Sequence, residues 1–237
     1  MSSETRRFAV LIDAENISAK YARAIFEEVS TFGEASVRRL YCDVGQNSIS
    51  PWLELQTELG IVPVHQPKNT VGKNASDIAL VIDAMDLLHS GRMDGFVLVS
   101  SDSDFTRLAQ RIREQGVDVF GMGEKKTPEA FRMACKRFLW VENLGVDGTQ
   151  TADQGKTANN GGDLNRAYQL ISNVLSDSND AEGWARLSWL GSQIVQRYSD
   201  FDTRTFGYKR LSDLIRATGR FEEQGEGAEH RVRLRTK

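Results

Sequence analysis

The sequence predicts an α/β domain built on a parallel sheet in three layers, followed by a small α+β domain of the winged-helix kind. Three observations predict it. Short apolar runs alternate with stretches of helical periodicity from Arg7 to about Leu144. A polar segment rich in Gly, Thr and Asn then breaks the pattern. Three amphipathic stretches and a Gly-interrupted alternating tail complete the chain. Strands that alternate with helices imply a parallel sheet covered on both faces, because a parallel return needs a crossover and the helix supplies it.

Each element follows from its own pattern. RFAVLI is apolar and strand-like. SAKYARAIFEEVSTFG carries Ala22, Ile25, Phe26 and Val29 at helical spacing and stops at Gly33. EASVRRLYC reads as the second strand, PWLELQTEL as a short helix opened by Pro51, and IVPVHQ as the third strand. SDIALVIDAMDLLHSG is the clearest helix, with Ile78, Val81, Ile82, Met85 and Leu88 expected on its core face, and Asp83 and Asp86 on a solvated one. FVLVS is the fourth strand, DFTRLAQRIREQG a helix closed by Gly116, and VDVFGMG the fifth strand.

The first domain therefore spans residues 7–145. Residues 146–163 read as a flexible linker, with a span on the order of 20 Å if Gly-rich coil statistics hold. Residues 164–237 form the second domain. In it Leu164, Ala167, Tyr168, Ile171, Val174 and Leu175 mark one amphipathic helix, LSWLGSQIVQRY a second and TRTFGYKRLSDLIRATG a third. RFEEQGEGAEHRVRLRTK folds back around its glycines as a hairpin, and Trp184 and Trp189 are expected in the core.

The chain has 237 residues and a net charge of −3, so its overall charge does not announce a nucleic-acid partner. Cys42 and Cys135 fall in apolar segments and read as buried thiols. No apolar run is long enough for a bilayer and MSSETRR lacks a signal-peptide core, so a cytoplasmic protein with no membrane partner is expected.

Ligands of parallel sheets bind at the carboxyl ends of the strands. Four acids fall there: Asp13 ends the first strand, Asp77 opens the clearest helix, and Asp102 and Asp104 follow the fourth strand. Each alone reads equally as a helix cap or a partner of a helix dipole. All four at one edge would repel one another unless a cation held them. Hard dications that take carboxylate oxygens, Mg²⁺ or Mn²⁺, resolve this, and they serve phosphoryl chemistry by activating water. Asn16 would orient water or phosphate, or simply form a turn. Lys73 would contact phosphate, or lie exposed.

At these residues the first domain resembles the NYN family of PIN-like metal-dependent ribonucleases. AVLIDAENI, KNASDIALVIDAMDLL and FVLVSSDSDFTRLAQRIREQGVDVFGMG carry the resemblance, in family order over most of residues 7–142. It implies a PIN-like, Rossmannoid three-layer fold. It also implies metal binding and water activation by Asp13, Asp77, Asp102 and Asp104, with Asn16 in the same pocket. The family pattern most often has Gly where this chain has Ser103, which makes the turn before Asp104 less permissive. DSDFT also matches the phosphatase signature of haloacid dehalogenases, with Asp102 as nucleophile and Asp104 as general acid/base. The remaining parts of that fold do not fit into the chain that follows. Toprim domains pair a similar acidic motif with Glu, not Asp, in the first strand.

The second domain resembles an OST-HTH/LOTUS domain, through GWARLSWLGSQIVQRYSDFDTRTFGYKRLSDLIRATGRFE and HRVRLR. The resemblance implies an RNA-binding winged helix, or one that binds a protein partner. Lys209, Arg210 and Arg216 on the third helix and Arg231, Arg233 and Arg235 on the wing are the residues that would contact phosphate. The last three share one face of a strand. Tyr208 would stack on a base or pack in the core. From residue 163 onward 12 basic residues face 11 acidic ones, a net of about +1. The expectation is a metal-dependent ribonuclease, an endonuclease, whose second domain binds RNA. A non-catalytic RNA-binding adaptor is the alternative, and an aspartyl-phosphate phosphatase using Asp102 a third.

Overall fold

The computed structural model describes residues 5–42, 49–65, 74–145, 160–178, 180 and 183–235. The chain divides into two compact units, Met1–Gln150 and Thr151–Lys237. Among the described residues no helix is long and apolar enough to cross a membrane.

The first unit is a parallel sheet of six strands with helices on both faces. The strands are β1 (Arg7–Asp13), β2 (Glu34–Cys42), β3 (Val62–His65), β4 (Gly95–Val99), β5 (Asp118–Gly123) and β6 (Arg137–Trp140), in the order β3-β2-β1-β4-β5-β6. The helices are α1 (Ala22–Ser30), α2 (Ser50–Leu59), α3 (Ala75–His89), α4 (Thr106–Glu114) and α5 (Glu129–Ala134). Chain order runs outward from β1 in one direction and from β4 in the other. The carboxyl ends of β1 and β4 thus flank the switch point where such sheets open a crevice.

β1 shows why the core has two layers. Its alternate residues Phe8, Val10 and Ile12 pack with α1 and α2 residues such as Ile25, Val29 and Trp52. Ala9 and Leu11 pack on the other side with Leu80, Ala84, Leu108, Ile112 and Phe131. A strand apolar on both faces can only be a central one. Cys42 and Cys135 are buried and free, and burial pushes the Cys135 thiol up to about 12.

Three sequence expectations are corrected here. On α3 the residues turned to the sheet are Ser76, Ala79, Leu80, Ala84 and Leu88, whereas Ile78 and Ile82 are 58% and 56% exposed. This helix is apolar nearly all round, so its period marks no single stripe, and small Ala79 and Ala84 let it lie close on β1 and β2. Asp83 is not merely solvated: it accepts the Tyr41 hydroxyl at 2.8 Å and pairs with Arg39 at 2.8 Å. Burial first, then this carboxylate, raises the Tyr41 phenol well above its ordinary value. Finally, α5 and β6 had no counterpart in the periodic reading, since each is too short to display a period.

The second unit consists of α6 (Asn160–Leu175), α7 (Leu187–Arg197), α8 (Leu211–Thr218) and an antiparallel sheet of β7 (Ala185–Arg186), β8 (Phe221–Gln224) and β9 (Arg231–Leu234) in the order β7-β9-β8. Ala167, Ile171, Leu190, Ile194, Leu214, Ile215, Phe221 and Val232 form its core. α6 begins at Asn160, before its first apolar residue, and residues 146–159 lie outside the described residues. The third expected helix is shorter than its pattern. Asp202 caps a 3-10 turn at Thr203–Phe206, Gly207 ends it at φ 82°, and only Leu211–Thr218 continues as α-helix. Trp189 is 37% exposed and Trp184 half-buried beneath the Arg233 guanidinium, 4.6 Å from its ring centre, so neither is a core residue.

The amino edge of the six-stranded sheet carries a compensated charge. Asp118 accepts Arg6 at 2.6 Å and Lys136 at 2.8 and 2.9 Å. Burial works to raise its carboxyl, but the hydrogen bonds and charges of Lys136 and Arg6 outweigh it and hold the group below its usual range. A lowered carboxyl stabilises the fold above the unfolded value of about 4, and that contribution is lost as pH falls through the lowered folded value. Thermal unfolding against pH is therefore expected to show Asp118→Asn less stable than the parent at pH 7 by about 0.5–1 kcal/mol. The difference should shrink towards pH 2.

Candidate active site

β1 ends on Asp13, one residue beyond its last pairing with β4 and opposite Tyr41 of β2. Being central, the strand carries this carboxylate into the interior: Asp13 is 1% exposed. Three donors meet it there. Oδ2 accepts the Ser100 hydroxyl at 2.7 Å and the Asn16 amide at 2.7 Å, and Oδ1 accepts the Glu15 backbone N–H at 3.1 Å. Burial raises the Asp13 carboxyl above its ordinary value, and the hydrogen bonds from Ser100, Asn16 and Glu15 only partly offset it.

Ser100 and the turn after it tie β4 to this acid. Ser100, 1% exposed, donates to Asp13 and accepts the Asp102 backbone N–H at 3.0 Å. Asp102 in turn accepts the Asp104 N–H at 2.9 Å and caps the 3-10 turn Ser103–Phe105 that leads into α4. The cap is thus Asp102, not Asp104, and its other oxygen accepts no hydrogen bond among the described residues. Ser103 sits inside a right-handed turn that any L-residue adopts, so it does not strain the position where the family pattern has Gly. Ser101 accepts the Glu124 N–H at 2.9 Å, and a side chain at Gly123 would approach the Ser100 carbonyl to 2.6 Å. The ends of β4 and β5 therefore meet without room for a Cβ.

Asp77 enters from α3. Crossover helices run antiparallel to their strands, so the first turn of α3 lies at the carboxyl edge of the sheet. The Asp77 carboxyl is raised to about 6 by burial first, then by the charges of Asp13, Asp102, Glu15 and Asp104. The charges of the other three acids expected from the sequence thus all bear on Asp77. Among the described residues no basic side chain forms an ion pair with any of them. Glu15 is a fifth acid that the periodic reading missed. It accepts the Ser76 hydroxyl at 3.2 Å. Its only signal in the sequence is its place between Asp13 and Asn16, and Ser100 had none beyond adjoining the acidic motif. Lys73 lies outside the described residues.

Among the described residues no group of three or more His, Cys, Asp or Glu lies close enough together to hold a metal ion. The donor set is nevertheless made of hard, anionic oxygens with no basic ion-pair partner among the described residues, which suits a hard dication. Mg²⁺ keeps several waters and engages only one or two carboxylates in such sites.

In the second unit the alternation of β9 holds, with Val232 buried between Arg231 and Arg233. Much of its positive charge is occupied within the domain. Arg233 pairs with Glu222 at 2.7 Å, Arg216 with Glu223 at 3.2 Å and Asp213 at 3.7 Å, and Arg231 with Glu229 at 3.6 Å. Tyr208 is half-buried against the core, and Lys209, Arg210 and Arg235 are exposed.

Comparison with known proteins agrees with this architecture. The NYN domain family matches residues 7–142, and the OST-HTH/LOTUS domain family matches residues 166–232. No curated protein matches the chain. A crystal structure of a protein of unknown function from Vibrio parahaemolyticus RIMD 2210633 is similar at 20% identity, over 58% of this chain and 94% of that one, with a TM-score of 0.48.

The Ser100 bridge is testable without any activity. A buried hydrogen bond to a carboxylate contributes about 1.5–3 kcal/mol, more than an ordinary one. Ser100→Ala is expected to lower the urea-unfolding free energy by about that amount. Ser103→Ala, in an exposed turn, should change it by less than about 0.5 kcal/mol.

Proposed function

Because the chain belongs to the NYN domain family and carries an OST-HTH/LOTUS domain, we propose that it is a metal-dependent ribonuclease that hydrolyses RNA phosphodiester bonds as an endonuclease. One observation carries the reading: Asp13 at the end of β1, Asp102 and Asp104 after β4 and Asp77 in the first turn of α3 share the carboxyl edge of the sheet at its switch point, with no basic ion-pair partner among the described residues. An uncompensated cluster of this kind costs stability in itself, and a function that needs a concentrated negative charge accounts for it.

Asp13, Asp77, Asp102 and Asp104 would hold Mg²⁺ or Mn²⁺. Such an ion, when bound, lowers the pKa of its water and offsets charge on the phosphate. The chain's own residues do the positioning. Ser100, Asn16 and the Glu15 N–H fix the Asp13 carboxylate from three directions. The 3-10 turn holds Asp102 and Asp104 at the rim, where Asp104 faces solvent. The packed sheet beneath excludes bulk water from one side of the site, which strengthens every charge interaction there.

The second domain would bring RNA to this site. Arg210 and Arg235 are the cations of the expected set best placed for it, since they are exposed and carry no acid partner among the described residues. Arg216, Arg231 and Arg233 would first have to leave theirs, and Tyr208 and Lys209 flank Arg210 on the approach to α8.

Two outcomes are expected. End-labelled single-stranded RNA should be cut with Mg²⁺ or Mn²⁺, and not with EDTA. Asp13→Asn or Asp102→Asn should lower the rate by at least about a hundredfold while the far-UV circular dichroism is unchanged. Unchanged cutting in both variants would sink the site. RNA retained without cutting would favour the non-catalytic adaptor, and a phosphate mimic trapped on Asp102 the phosphatase. Separately, Arg210→Ala with Arg235→Ala should weaken RNA retention and reduce the salt slope by roughly two phosphate contacts. Arg233→Ala should change retention less and stability more.

A further inference from the structure

A cavity of about 680 Å³ opens beside the acidic centre. Its walls come from the loop after β1, the start of α1, α2 and the loop after β5, so it shares Glu15 and Asn16 with the surroundings of Asp13. Its lining is mixed. Pro51 and Leu55 of α2 offer apolar surface, Asn16 a hydrogen-bonding edge, Glu15, Glu54 and Glu124 carboxylates, and Lys20 and Lys126 bring positive charge from the loops after β1 and β5. Its volume falls in the range of about 300–1,000 Å³ usual for small-molecule sites.

We propose that this cavity is the subsite for a nucleotide adjoining the cleaved bond, its base against Pro51 and Leu55 and its phosphate drawn to Lys20 and Lys126. The inference rests on the ribonuclease reading and adds to it where the substrate strand lies. A polyanion brought to a cluster of carboxylates is repelled unless cations flank its path. The two lysines are such cations on the walls next to that cluster. Lys20 Nζ lies over the Tyr21 ring, 4.7 Å from its centre, an attraction that leaves its N–H groups able to donate. Lys126 is paired with Glu124 at 3.1 Å, but its side chain is 61% exposed, and such a surface pair contributes only about 0–1 kcal/mol. Exchange of Glu124 for a phosphate is therefore cheap. Arg23, also in the wall, is held by Glu58 through two bonds of 2.8 Å and shapes the cavity rather than the contact. The charged walls argue against a wholly apolar ligand, and the two lysines against a bare cation. Asn16, bound to Asp13 by its amide, links a filled subsite to the acid itself.

The test is a titration of the full chain with uridine 5′-monophosphate in EDTA, followed by backbone amide NMR shifts. The expected shifts centre on residues 14–20, 51–55 and 124–126, and Lys20→Ala with Lys126→Ala weakens binding by about tenfold or more. In cleavage assays the same double variant raises KM by about tenfold with kcat held, since it removes binding rather than chemistry. Both lysines are exposed, so the fold is expected to survive their loss. Shifts that avoid the cavity, or equal affinity in parent and double variant, overturn the subsite. Metal-dependent cutting with an unchanged KM also overturns it while leaving the ribonuclease intact. Binding in the cavity by a protein that cuts no RNA supports the subsite and rejects the ribonuclease.

Discussion

The arrangement depends on one constraint: a carboxylate placed at the end of the central strand, inside the core. Asp13 is almost wholly desolvated, and an isolated buried charge is among the costliest features a fold can carry. The surroundings are organised to reduce that cost. Asn16 folds back from the turn after β1, the Glu15 N–H closes the other oxygen, and Ser100 reaches across from β4. Because Ser100 also accepts the Asp102 N–H, the same hydroxyl sets the start of the next acidic turn. The position of Asp13 is thus tied to that of Asp102 and, through it, of Asp104.

The two edges of the sheet make the contrast plain. At the amino edge Asp118 has Arg6 and Lys136, and its carboxyl is driven down. At the carboxyl edge Asp77 has burial and four acids, and its carboxyl is driven up. The same residue type serves as structural cement in one place and as concentrated charge in the other. The net charge of −3 averages these edges together and so reveals neither.

Much of the first unit was legible because long apolar runs leave few choices. β1 and β4 read directly, and a sheet of parallel strands by itself puts Asp13, Asp77, Asp102 and Asp104 at a common edge. The failures have physical reasons. α3 is apolar on nearly every side, so only packing against β1 and β2 decides that Ala79 and Ala84 face inward and Ile78 and Ile82 outward. Asp83 looked solvated because its partners, Arg39 and Tyr41, lie on a strand about 40 residues away. Ser100 and Glu15 are small or ordinary residues whose meaning comes only from what they touch. In the second unit the alternation of Arg231 and Arg233 about Val232 was legible, but Arg235 lies beyond the end of β9 and the facing acids were not legible, since the register of β8 against β9 sets Glu222 opposite Arg233.

That last pairing bears on how the two units divide their labour. Arg233 is stacked on Trp184 and bound by Glu222, and Arg216 is held by Glu223, so these guanidiniums already serve the stability of their own small core. A domain of this size buries little apolar surface and gains from such partners. Charge that stabilises the fold is charge withheld from a ligand, because a phosphate would have to displace a carboxylate held at 2.7 Å. On the proposal that this domain binds RNA, its near-neutral charge would allow few phosphate contacts, and fewer contacts mean a shallower dependence on salt. Such recognition would lean on shape and on a small number of exposed cations. The strong electrostatics of the protein are concentrated instead at the carboxyl edge of its parallel sheet.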